Sequence, residues 1–294
     1  MAPALMVRIL SPAKINLFLR ITRRRADGYH NLFSLMCRVS LFDEICLRPA
    51  KASVRLKCSD PALPRDASNL AVRAALLFFE ASGRAEGVEI TLLKRIPIAA
   101  GLGGGSSNAA SVLMGLNHAS GSPFSRRQLQ RLARRLGADV PFFICETPAL
   151  ASGIGDILEP CPNLPMFHII LICPPFAVST VAVYRRLNLR LTNCPKRLTK
   201  TRFKEEGFDP GRHLCNDLEP VTQAMHPEIA AVKRRLLGCG ALGALMTGSG
   251  GCVFGLFGTA DDARNAAGSL AMPAGWRLFS AELMTGPVAL IRDP

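Results

Sequence analysis

Aromatic surface is scarce in this sequence, with one Trp and two Tyr among 294 residues. The scarcity bears on its positive charge, because proteins that hold single-stranded nucleic acids interleave basic residues with stacking rings. The basic groups here are Arg23, Arg24 and Arg25, then Arg126, Arg127, Arg131, Arg134 and Arg135, then Lys233, Arg234 and Arg235, and no aromatic stripe accompanies them. They read as solvated helix faces and loops, so no nucleic-acid partner is expected. Also missing is an apolar run of the roughly 18 residues a membrane-spanning helix needs. The longest runs, around 74–79 and 169–173, have the length of buried elements, and no membrane partner is expected. The opening MAPALMVRILSPAK has no basic stretch ahead of its apolar residues and reaches Arg8 and Lys14 too early for a secretory signal. A cytoplasmic location is expected. The ten cysteines include no C-x-x-C and the five histidines no H-E-x-x-H, which excludes the usual zinc and thioredoxin-like patterns. Scattered reduced thiols and no metal site made of protein ligands are expected.

Acidic residues are few as well, 22 Asp+Glu against 36 Lys+Arg, for a net charge of +14. That excess favours polyanions, nucleotide substrates included, without choosing among them. What is present is apolar: 49% hydrophobic and 20% charged residues exclude a disordered or collagen-like chain. The length suits one large or two modest domains. Short β-type runs are expected at 5–10 and 13–21, with one long or two short strands at 32–47. Asn69 opens a helical pattern that stops before Gly83, and a strand follows at 88–93. A helix is expected from 106 to about 119, and Ser125 with Gln128 makes a capping box for another that ends at Gly137. The unpatterned, Gly- and Pro-rich stretch 148–165 reads as a boundary, dividing an α+β chain into 1–155 and 156–294. Beyond it come a buried strand at 166–173, a helix start at 181–189, and a basic, weakly patterned connection at 190–212. A helix at 227–237, strands at 243–246 and 252–257 around a glycine turn, and a helix at 260–270 complete the pattern.

The most informative chemistry lies in PIAAGLGGGSSNAA, residues 97–110. Gly101, Gly103, Gly104 and Gly105 free the backbone for positive φ and remove the β-carbons that would block an anion. Ser106, Ser107 and Asn108 then lead directly into a helix, whose unpaired first-turn N–H groups and positive dipole end face whatever the glycines cradle. A phosphate site follows from that arrangement. The pattern is not G-x-x-x-x-G-K-[ST], because no Lys follows the glycines, and Ser106 breaks G-x-G-x-x-G.

This segment resembles the ATP-binding loop of the galacto-, homoserine, mevalonate and phosphomevalonate (GHMP) kinase superfamily. Within it the chain is similar to one branch, the 4-diphosphocytidyl-2-C-methyl-D-erythritol kinases of the non-mevalonate isoprenoid pathway. SPAKINLFLRITRRRADGYHNL at 11–32, LGADVPFF at 136–143, VSTVAVY at 178–184, NDLEP at 216–220 and TGSGGCVFGLF at 247–257 resemble that branch's motifs in its order. The resemblance implies a two-domain architecture with the active site in the cleft between domains. It also implies an ATP-dependent kinase acting on the C2 hydroxyl of a small cytidine-diphosphate alcohol. ATP would lie against Pro97, Ile98, Ala99, Ala100, Gly101, Leu102, Gly103, Gly104, Gly105, Ser106 and Ser107. Mg2+ would be held mainly by phosphates and water.

In the same resemblance Asp139 takes the position of the catalytic base, and the apolar residues after it suggest partial burial that raises its basicity. Lys14 and Asn16 alternate on one strand face. Lys14 would assist the base electrostatically and Asn16 would bind substrate. Tyr29 and His30 would take the cytosine end, with Tyr184 as a second stacking wall and Thr180 nearby. Asp217 and Glu219 read as positioning groups, and Gly248 to Gly251 as a turn closing the site. Ala99 and Ala100 depart from the glycines common in relatives, as Gly251 does from a small polar residue. A homoserine or mevalonate-type kinase, or a catalytically silent ligand-binding regulator, remains open on sequence alone.

Overall fold

The structure is a computed structural model and describes residues 6–51, 53–189, 192, 194, 199–287 and 290–292. The first strand, β1, runs Val7–Arg24, and its burial follows from its apolar residues: Ile9, Ile15, Leu17 and Phe18 are fully buried. Leu5, where the first β-run was expected to begin, lies outside the described residues. The expected strands at 5–10 and 13–21 are thus one strand, with a register shift between Pro12 and Ala13. A short turn follows in which Asp27 accepts the Tyr29 N–H and Gly28 adopts φ 86°. The chain returns antiparallel as β2, His30–Ala50, a single strand where one or two were expected.

β2 is the trunk of the first half. β3 (Val54–Cys58) pairs parallel with β4 (Gly87–Leu93), and β4 pairs antiparallel with β2. Three helices cover this sheet: α1 (Leu70–Ser82), α2 (Gly104–Ala119) and α3 (Arg126–Leu136). The terminal signals act as their chemistry dictates. The Asn69 side chain accepts the Ala71 N–H, Gly83 closes α1 at φ 64°, and the Gln128 side chain accepts from the Ser125 backbone N–H. α2 starts two residues earlier than expected because Gly103, in the left-handed region, is its N-cap. Phe78, fully buried in α1, meets Phe79 and Phe124 edge to face in the core beneath these helices.

The expected boundary at 148–165 is not an unpatterned linker. It holds a hairpin, β5 (Ala149–Ser152) with β6 (Ile157–Pro160), and β5 pairs with β2. Cross-strand pairing, which short segments do not announce in their periodicity, makes this order.

The second half contributes β7 (His168–Cys173), α4 (Thr180–Arg186), α5 (Lys200–Glu206), α6 (Pro210–His213), β8 (Cys215–Asn216), α7 (Glu219–Met225), α8 (Glu228–Gly238), β9 (Gly243–Met246), β10 (Val253–Phe257), α9 (Ala260–Ser269), β11 (Arg277–Met284) and β12 (Leu290–Arg292). The basic connection therefore carries helices α5 and α6, while its residues 190, 191, 193 and 195–198 lie outside the described residues. β7 lies between β10 and β11, antiparallel to both. β11 also pairs with β2 through Leu283 and Met284, so one sheet joins the halves. β8 and β12 both pair with β1.

Four of the thiols expected to be reduced are paired. Antiparallel register sets Ile172 opposite Val253, which brings Cys173 and Cys252 to 4.2 Å between Cα atoms, and a disulfide joins them across 79 residues. A second disulfide joins Cys194 to Cys215.

Truncating Phe78 removes a ring from a filled space. Phe78→Ala should lower unfolding stability by about 3–5 kcal/mol, read as a fall in the urea midpoint at unchanged slope.

Candidate active site

The glycine segment folds as its composition predicts. Gly101 and Gly103 take φ 77° and 68°, and Gly103 hands the chain to α2 with no capping side chain. Its first-turn N–H groups therefore face outward. The lack of β-carbons is obligatory here: one on Gly101 would stand 2.1 Å from the Thr247 carbonyl oxygen, and one on Gly103 would stand 3.0 Å from Lys14 Cγ. Ala99 is itself left-handed at φ 52°, a conformation alanine adopts at a cost of about 1 kcal/mol or more.

The third glycine motif, Gly248 to Gly251, is more than a hairpin turn. It docks on the first: Thr247 Oγ1 donates to Gly101 O at 3.3 Å and the Cys252 N–H to Ala100 O at 3.2 Å. Asn216 braces it by donating from Nδ2 to Met246 O and Gly248 O, both at 2.8 Å. Asp217 accepts the Ile21 N–H at 2.7 Å and Glu219 the Met246 N–H at 2.8 Å, which makes both of them positioning groups.

Lys14 and Asn16 project together from β1. The Lys14 backbone N–H donates to Leu102 O at 2.9 Å, tying the strand to the glycine segment. Its ammonium, almost wholly buried, donates to Asn16 Oδ1 at 2.6 Å and stands 3.7 Å from Asp139 Oδ2. Asn16 Nδ2 donates in turn to Ser34 Oγ at 2.8 Å. Asp139 precedes the 3-10 turn Val140–Ile144, whose residues are buried, yet its own side chain is 39% exposed. The expected burial thus anchors the turn and leaves the carboxylate open.

These groups line one cavity of about 1450 Å³. Lys14, Asn16, Asp139, Tyr29, His30, Thr180, Tyr184 and residues 97–106 all border it. Ser107 does not. Its N–H donates to Gly103 O at 2.9 Å within the helix and its hydroxyl meets Ser11 Oγ at 2.8 Å, so it is occupied in holding α2 on β1. The His30 and Tyr184 rings stand 5.3 Å apart, while Tyr29 is exposed at the mouth. Burial raises the Tyr184 hydroxyl's pKa, and the Asp139 charge adds to the rise. Burial first, then the charge of Arg24, lowers the His30 pKa. Thr180 Oγ1 and Ser249 Oγ lie 2.8 Å apart, linking α4 to the third glycine motif.

Sequence reasoning missed the far end of the cavity. Leu63, Pro64, Asn69, Leu70 and Leu92 form a largely apolar lobe beside Gly104 and Gly105, of a kind that takes a nucleobase. Lys94 borders it, with its ammonium paired to the fully buried Asp43, which also accepts Asn108 Nδ2 at 2.9 Å. An isolated Lys and Asp, 51 residues apart, give no signal in the chain. The Asn69 helix cap is the one element here that was legible, and it was read only as a cap.

Two consequences can be measured. Gly101→Ala forces a β-carbon against a carbonyl and should separate the two glycine loops, lowering stability by about 1–3 kcal/mol and collapsing activity, as read by thermal melting and turnover. His30 has a folded-state pKa below its unfolded value of about 6.5, so the unfolded chain binds more protons as pH falls. Stability should therefore decline as pH drops below about 6.5, and the decline should flatten in His30→Gln, as read by urea unfolding at successive pH values.

Residues 69–147 match the family of GHMP kinases N terminal domain and residues 206–272 that of GHMP kinases C terminal. The chain is 48% identical over 278 residues to the 4-diphosphocytidyl-2-C-methyl-D-erythritol kinase of Syntrophotalea carbinolica, covering 94% of this chain and 99% of the relative. To the enzyme of that name from Geobacter metallireducens it is 43% identical over 267 residues, 90% of this chain and 94% of the relative. A crystal structure of 4-(cytidine 5'-diphospho)-2C-methyl-D-erythritol kinase superposes with a TM-score of 0.80 at 38% identity, covering 95% of this chain and all of that one (100%). A homoserine kinase from Cytophaga hutchinsonii, at TM-score 0.72 and 21% identity over 97% of each chain, shares the fold. Likeness of this degree along nearly the whole length, joined to a glycine-capped helix facing a Lys and Asp pair, makes the chain an ATP-dependent small-molecule kinase that belongs to the 4-diphosphocytidyl-2-C-methyl-D-erythritol kinase family.

Proposed function

We propose that this chain transfers the γ-phosphoryl group of ATP to the C2 hydroxyl of 4-diphosphocytidyl-2-C-methyl-D-erythritol, giving the 2-phosphate and ADP. The observation that carries the reading is the approach of Lys14 Nζ to Asp139 Oδ2, 3.7 Å, beside the N-terminus of α2. Phosphoryl transfer asks for alignment, charge compensation and removal of one proton. The backbone N–H groups at the start of α2 and the helix dipole compensate the phosphates. Asp139 accepts the hydroxyl proton as the C2 oxygen bonds to the γ-phosphorus and the bond to the bridging oxygen breaks. Lys14 is held by Asn16 before substrate arrives, so its charge costs no reorganisation when negative charge moves between acid and phosphate. The apolar lobe at Leu63 and Leu70 suits adenine. The His30 and Tyr184 rings suit a pyrimidine at the other end, a preference that neither homoserine nor mevalonate would exploit.

Mg2+ belongs to this proposal through the chemistry of ATP. No group of three or more His, Cys, Asp or Glu able to hold a metal occurs among the described residues. The phosphates and water would hold the ion. We further propose that the chain divides at 155/156, since the two family matches fall on either side. No described helix is long and apolar enough to cross a membrane. A cytoplasmic location fits a step that consumes ATP.

The direct test is phosphorus NMR of purified protein with ATP and the cytidine-diphosphate alcohol, where a new phosphomonoester signal is expected. Asp139→Asn should lower kcat by about 10²–10⁴-fold. Lys14→Ala should reduce kcat far more than it raises KM. An Asp139→Asn enzyme that kept most of its turnover would refute the assignment.

A further inference from the structure

The charged side chains around the cavity are Lys14, Arg24, Asp27, Lys94, Asp139 and Arg185. Four of them are matched. Lys14 faces Asp139, Lys94 is bonded to Asp43, and Asp27 is bridged to Arg25 at 2.7 Å. Arg24 and Arg185 are left, and neither side chain has a hydrogen bond or ion pair with a described residue. Both are exposed, and both flank the ring pair: Arg24 lies directly across the β1–β2 register from His30, and Arg185 follows Tyr184 on α4. The contrast with Arg25, one residue along and neutralised by Asp27, shows that the turn contains an acid that could have quenched Arg24 and does not.

We infer that Arg24 and Arg185 form a cationic rim that binds the diphosphate bridge of the acceptor substrate. The inference rests on the reading of the acceptor as a cytidine-diphosphate alcohol. With the base stacked against the His30 and Tyr184 ring pair and the alcohol at Asp139, the dianionic bridge joining them runs along the wall between these two points. The cations of the glycine end lie away from the ring pair, Lys14 beside Asp139 at the reacting end and Lys94 on Asp43. Guanidinium groups are the fitting donors, since each offers a planar fork to phosphate oxygens. Because both are exposed, their attraction is screened by salt, and they act on capture and placement of the acceptor.

The test uses the full chain with Arg24→Gln, Arg185→Gln and the double variant. With the ATP site filled by a non-hydrolysable analogue, calorimetry measures binding of CDP and of cytidine. CDP should weaken about tenfold for each substitution while cytidine is unchanged. The wild-type advantage of CDP over cytidine should shrink at high salt, and Arg185→Lys should recover part of the loss. In turnover assays the loss should fall on the KM of the alcohol substrate and not on that of ATP. Equal weakening of CDP and cytidine, or no change in the double variant, would overturn the inference. Failure of the wild-type protein to phosphorylate the alcohol would instead overturn the functional reading, and the calorimetric comparison would still decide the role of the arginines.

Discussion

A buried ammonium is the constraint around which this site is arranged. Removing a charge from water costs several kcal/mol even after relaxation. At 3.7 Å the Asp139 carboxylate returns on the order of 4 kcal/mol at an effective dielectric of about 20, and less where the acid is exposed. The pair alone therefore does no better than offset the burial of Lys14. Asn16 contributes a further hydrogen bond, and an incoming phosphate contributes more. Lys14 is thus a cation whose burial is best offset by an additional anion, which is the electrostatic setting phosphoryl transfer needs. The same residue ties three segments together, since its backbone N–H holds Leu102 while its side chain reaches the turn at Asp139.

Close backbone approach is the second requirement, and it follows from the first. For the glycine segment to lie over Lys14, the segment must itself be covered from behind by the loop at Thr247, and at Gly101 there is no room for a β-carbon. Asn216, Asp217 and Glu219 exist to hold that covering loop and β1 in place through backbone donors and acceptors.

What could be read from the sequence was whatever is local. Caps at Asn69 and Gly83, the glycine turn between β9 and β10, and the glycine-led start of α2 are each decided by a few adjacent residues whose backbone preferences agree. The motifs also indicated which residues would meet. What escaped depends on register between distant strands. Nothing near Cys173 announces Cys252, because their meeting is set by how β7 and β10 align. The buried Asp43, Lys94 and Asn108 group is invisible for the same reason, as is the hairpin at 149–160. Ser107 shows a subtler limit: a serine in a phosphate-binding pattern can be consumed by packing, here against Ser11.

The net charge of +14 takes on a different sense once partners are known. On α3, Arg126 is paired with Glu146 and Arg135 with Glu80, while Arg134 donates to the Asp156 carbonyl. Further along, Lys200 and Lys204 share Glu159. Such surface pairs contribute little to stability, but they neutralise part of the basic surface locally. Within the cavity the balance runs the other way. The start of α2, Lys14, Arg24 and Arg185 all present positive potential to one cavity, which the Asp139 carboxylate and the Arg25-paired Asp27 also border. Charge that is diffuse in the composition is thus focused by the fold where phosphate chemistry needs it.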